Sequence, residues 1–103
     1  MNFSSQMSSI MNDIDYKQLI KDGAFLVDVR TEAEFAEGHV KGSTNIPLHT
    51  IPNELDQFKN KTNIIVFCRS GGRSSQAKAY LDVNGFMNVI NGGTWDFINQ
   101  FCS

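Results

Sequence analysis

From Ile14 onward, short unbroken apolar runs alternate with stretches whose apolar residues recur at three- and four-residue spacing. The first pattern predicts buried strands and the second amphipathic helices, so the chain reads as an α/β layer fold with a largely parallel sheet.

Asp15 caps a first helix that carries Tyr16, Leu19 and Ile20 inward and stops at Gly23. Ala24 to Val29 is too short and too apolar for anything but a buried strand. Thr31 and Glu34 stand at capping-box spacing and open a short helix that ends near Gly38. A strand at Thr44 to Ile46 is stopped by Pro47, and Thr50 with Pro52 opens another short helix carrying Leu55 and Phe58.

Asn63 to Phe67 is the most apolar strand and runs directly into Cys68. Ala77, Tyr80 and Leu81 form one face of the next helix, with Asn84-Gly85 as a left-handed stop. Phe86 to Ile90 predicts a last strand, Asn91-Gly92-Gly93 a turn, and Thr94 the cap of a closing helix with Trp95, Ile98 and Phe101. The total is about five strands and five helices.

Composition narrows the functional classes. At 103 residues and 41% apolar, the chain fills one core and not two. Residues 1–9, rich in Ser, Asn and Met, read as a flexible tail, and residues 10–103 as a single domain. A formal charge of −2 without a basic run points away from nucleic acid and anionic membranes. No window approaches the roughly 20 apolar residues of a membrane span, and the N-terminus lacks the pattern of a secretion signal, so the expected location is cytoplasmic. Cys68 and Cys102 are then free thiols. With His39 and His49 as the only imidazoles and no CxxC spacing, neither a metal nor a cofactor is called for.

Cys68 carries the candidate chemistry. A thiol ending an apolar strand is commonly a small buried hydrophobe. Two features favour a reactive group instead: its place at the carboxyl end of a strand, where α/β sheets gather ligands, and the loop Arg69-Ser70-Gly71-Gly72-Arg73-Ser74 that follows. Paired glycines let successive N–H groups turn toward one point, and a helix beginning near Arg73 or Ser74 adds its own unpaired N–H groups. With Arg69 and Arg73 beside it, the thiol is expected to ionise below the ordinary value of about 8.5. Cys102 has no such surroundings and reads as incidental.

Four stretches in order, "FLVDVR", "EFAEGHVKGSTNIPL", "IIVFCRSGGRS" and "GFMNVINGGTW", resemble the rhodanese domain over Ile14 to Phe101. The resemblance implies a three-layer fold with a central five-stranded parallel sheet and helices on both faces. It implies Cys68 as the persulfide-forming cysteine and Arg69, Ser70, Gly71, Gly72, Arg73 and Ser74 as the loop whose amides surround it. Asp28 and Arg30 match the residues after the first core strand and read as a salt-bridged brace. His39 matches a motif histidine with a structural hydrogen-bonding role, and Trp95 with Gly92-Gly93 matches the closing packing motif. Lys41 and Ser43 stand where the family commonly has proline and alanine. With one domain and no partner domain to line it, the site is expected to be shallow and open.

The implied function is sulfur transfer from thiosulfate or another small anionic donor, through a Cys68 persulfide, to cyanide, a small thiol or a protein thiol, by a monomer. Arg69 and Arg73 would attract the donor. A protein-to-protein sulfur relay or a regulatory module with little thiosulfate turnover is the alternative. A cysteine phosphatase or arsenate reductase is more remote: its loop resembles C-x5-R, whereas Cys68 to Arg73 is C-x4-R, a narrower ring suited to one sulfur atom.

Overall fold

The computed structural model describes residues 14–102; the expected tail at residues 1–9 lies outside them. Four parallel strands form the sheet among the described residues, in the order β2-β1-β3-β4: β1 Phe25–Asp28, β2 Thr44–Asn45, β3 Ile64–Cys68 and β4 Val89–Thr94. The α/β class holds, while the expected five strands become four. Helices are α1 Tyr16–Lys21, α2 Glu32–Glu37, α3 Gly72–Val83 and α4 Trp95–Asn99.

Caps fall where the side chains can reach free amides. Asp15 Oδ1 accepts from Gln18 N at 3.0 Å, and Thr31 and Glu34 complete a capping box on α2. The helix expected after Thr50 is instead two 3₁₀ segments, Leu48–Asn53 and Leu55–Phe58. Pro52 has no N–H to give to an α-helical ladder, and Thr50 Oγ1 donates to Pro47 O at 2.8 Å, which favours a tight local turn.

Alternation along the strands sends apolar side chains to both faces of the one sheet, where each face has its own cluster. Ile64, Val66 and Cys68 of β3 point with Val27 to the face covered by Ala77 and Leu81 of α3 and by Ile51 and Phe58. Ile65 and Phe67 point with Leu26 to the opposite face, under Leu19, Ile20, Trp95 and Ile98. Every residue of β3 is buried, as expected of a central parallel strand covered on both sides. Tyr80, expected on the inner face of α3, is exposed; Ala77 and Leu81 alone of that trio are buried.

The last strand departs most from the sequence pattern. Asn91-Gly92-Gly93, expected as a turn, lies within β4, which begins at Val89 and not at Phe86. Val66 pairs with Asn91 but Phe67 pairs with Gly93, so Gly92 is the extra residue of a β-bulge. A Cβ on Gly92 would stand 2.9 Å from both Ile65 Cγ2 and Ile98 Cδ1, and so the close approach of α4 to the sheet requires glycine there.

Candidate active site

Cys68 is the last residue of β3, and Gly71 caps α3 four residues before Ser75 closes its first turn. Between them the backbone reverses through Gly71 at φ +95, a left-handed conformation that a side chain resists. The reversal aims Gly71 N–H at Cys68 Sγ, 2.9 Å away. Ser74, buried at the start of α3, places its Oγ 3.6 Å from the same sulfur.

Burial pushes the Cys68 thiol up. The Ser74 hydroxyl and the main-chain N–H groups of Ser74, Gly71 and Ser70 pull it down by more, and the net result is a thiol below its ordinary value. Cys102 has only burial acting on it and moves up. The two cysteines therefore differ in environment as well as in position.

The surroundings differ from expectation in two ways. The site is not open at the sulfur: Cys68 has 0% of its surface exposed, roofed by the loop. A cavity of about 290 Å³ is lined by Arg30, Glu34, Glu37, Gly38, Arg69 and Trp95; it reaches the residue that follows Cys68 but not Cys68 itself. Nor are the two loop arginines alike. Arg73 forms a fork with Glu34 of α2, Nη1 to Oε1 at 2.7 Å and Nη2 to Oε2 at 3.0 Å, whereas Arg69 is exposed at the cavity. Hydrogen bonds from Arg73 and Thr31 hold the Glu34 carboxyl down at about 2.

Asp28 and Arg30 meet at the end of β1. The Arg30 side chain donates through Nε to both Asp28 oxygens at 3.0 Å and through Nη2 to Oδ2 at 2.7 Å, while Nη2 also reaches Gly38 O at 2.7 Å. The guanidinium lies 4.5 Å from the centroid of the Trp95 ring. This buried cluster ties together the end of β1, the end of α2 and the start of α4. His39 stacks on Phe35 at 3.7 Å, and its Nδ1 lies 2.8 Å from Phe35 O, on the exposed side of α2. Both of these interactions are with Phe35, four residues earlier in the chain.

Sequence reasoning missed two participants. Glu34 read only as a capping residue, because nothing in the local pattern shows that α2 packs against the loop 39 residues later. Asn91 read as part of a turn, yet its Oδ1 accepts from Ser74 Oγ at 2.7 Å. A polar residue directly before Gly-Gly was the available signal.

A parallel sheet with a strand-terminal thiol under a tight loop of amides defines an α/β domain built around one cysteine. The chain belongs to the rhodanese-like domain family, whose profile matches residues 13–99. It is 36% identical to a sulfurtransferase of Allochromatium vinosum over 80% of this chain and 81% of that protein. With the thiosulfate sulfurtransferase GlpE of Pseudomonas aeruginosa it shares 34% identity over 75% of this chain and 72% of the relative. Among solved structures, a rhodanese with anions from E. coli superposes with a TM-score of 0.66 at 30% identity, covering 73% of this chain and 91% of the other.

Proposed function

We propose that the protein is a sulfurtransferase that carries sulfane sulfur as a persulfide on Cys68. The observation that supports this best is the Gly71 amide aimed at Sγ at 2.9 Å, in a loop whose N–H groups lower the thiol. A group of main-chain donors at fixed positions stabilises negative charge on sulfur without reorganising during the reaction.

The thiolate attacks the outer sulfur of thiosulfate. A bond forms between Sγ and that sulfur, the sulfur–sulfur bond of the donor breaks, and sulfite leaves with the electron pair. An acceptor nucleophile, cyanide or a thiol, then attacks the outer sulfur of the persulfide, and Cys68 departs as thiolate. Sulfite and the stabilised thiolate are both adequate leaving groups, so the steps require no general acid. Arg69 is the cation available to draw an anionic donor into the cavity, since Arg73 is held by Glu34. Because Cys68 is wholly covered, donor access requires the loop at Arg69 to Gly71 to shift away from the sulfur.

Steady-state turnover with thiosulfate and cyanide tests the reading, alongside sulfur transfer from a persulfidated protein donor. Turnover that depends on Cys68 and falls in Arg69→Ala is expected. Cys68-dependent transfer from the protein donor alone would assign the chain to a relay, and no transfer from either donor would refute the proposal.

A further inference from the structure

Ser74 has one hydroxyl proton and several acceptors around it. Asn91 Oδ1 lies at 2.7 Å, Gly71 O at 3.1 Å, Gly93 O at 3.4 Å and Cys68 Sγ at 3.6 Å. The Asn91 amide has its orientation fixed independently, because Gly93 N–H donates to the same Oδ1 at 2.9 Å. An oxygen, and not the amide nitrogen, therefore faces Ser74, and two oxygens at 2.7 Å must share a proton that only the hydroxyl can supply. With that proton on Asn91, Ser74 Oγ turns a lone pair toward Cys68 and can only accept from the thiol.

Ionised sulfur has no proton to give and needs donors. We propose that Ser74 is a two-position hydroxyl, donating to Asn91 while Cys68 carries its proton and to the sulfur once that proton has left, with Asn91 as the positioning residue that sets the balance. The thiol proton leaves to water as the loop at Arg69 to Gly71 shifts, Ser74 keeps its own, and no other covalent bond changes. The same turn serves a persulfide anion, and in that part the proposal rests on the function proposed above.

The other groups near the sulfur are committed. Arg73, whose charge interacts with Cys68 and Asp28, is paired with Glu34 of α2. Asp28 of β1 is paired with Arg30, and Arg69 is exposed. Opposite Cys68, β4 presents Thr94, which is uncharged. Main-chain N–H groups cannot change sides. Ser74 is the group that can answer ionisation by moving a donor, and the bulge that sets Asn91 against Val66 and Gly93 against Phe67 keeps its alternative acceptor in place.

The test is the pH dependence of Cys68 alkylation by iodoacetamide, in a Cys102→Ser background that leaves one thiol. Asn91→Ala should lower the apparent pKa by about one unit, because the hydroxyl is released to the sulfur. Asn91→Asp, which keeps an oxygen for Gly93 N–H, should raise it. In Ser74→Ala the pKa should rise, Asn91→Ala should no longer move it, and the effect of Asn91→Asp should shrink. An unchanged or raised value in Asn91→Ala, as when the hydroxyl goes to Gly71 O, would overturn the proposal. So would Asn91 effects of equal size with and without Ser74, and the isosteric Asn91→Asp pair decides this even if Asn91→Ala does not fold. Alkylation needs no sulfur donor, so a failure of sulfur transfer and a failure of this titration are separate results.

Discussion

Glu34 and Arg73 meet in a two-bond fork, 2.7 and 3.0 Å, that fastens α2 to the first turn of α3. The same Glu34 Oε1 accepts from Thr31 N and Thr31 Oγ1, both at 3.0 Å, so one carboxylate caps a helix and holds the loop that covers Cys68. Because Thr31 already holds Oε1, the Glu34 side chain has little freedom left to lose on pairing with Arg73.

The fork gives a pH-dependent contribution to stability. The folded carboxyl titrates at about 2, below its ordinary 4.5, so the contribution is full above pH 4.5 and is lost as pH falls through about 2. Glu34→Gln should cost on the order of 1 kcal/mol at neutral pH, the upper range for a partly exposed pair. Urea unfolding of wild type and variant should converge across that acid window; a constant difference down to pH 2 would contradict the assignment.

Gly71→Ala separates backbone geometry from space. No atom stands closer than 3.9 Å to a Cβ there, but the φ of +95 is strained for alanine by about 1–2 kcal/mol. Relief of that strain turns the amide away from Sγ. Thiol alkylation against pH should then show Cys68 ionising at higher pH than in wild type, and an unmoved profile would mean that the amide does not hold the sulfur.

Gly92→Ala tests the bulge. Its Cβ would press on Ile65 and Ile98, both fully buried, and overpacking of this kind costs about 1–3 kcal/mol. Ile98→Val removes Cδ1, one of the two crowded methyls, and should recover part of the loss in the double variant. Additive losses in thermal unfolding would show that the crowding is not the cause.

Asp28→Ala would leave the Arg30 guanidinium, 4% exposed, without its carboxylate. Removing one partner of a buried ion pair costs about 3–5 kcal/mol. Denaturant unfolding should show a loss of that order, and a loss below 1 kcal/mol would mean that Gly38 O and Trp95 suffice to hold the charge.

Local patterns made much of this legible. Val27, Val66 and Cys68 announced a buried parallel sheet by continuous apolarity, and Asp15, Thr31 and Thr94 cap the helices they precede. The Cys68 loop was readable because Gly71 and the helix start after it follow from adjacent residues. Relations across the fold were not. The Glu34–Arg73 fork and the Ser74–Asn91 bond depend on how α2 and β4 pack, which no local spacing encodes. Gly92-Gly93 misled because a glycine pair signals a turn and a bulge equally well, and only the crowding by Ile65 and Ile98 distinguishes them. The covered sulfur was likewise hidden, since the number of domains says nothing about where a loop comes to rest.

Intact-mass spectrometry after mixing with thiosulfate reads the Cys68 persulfide itself. A gain of one sulfur atom that cyanide removes is expected, present in Cys102→Ser and absent in Cys68→Ser. An adduct that persists in Cys68→Ser, or that disappears with Cys102, would contradict a persulfide on Cys68.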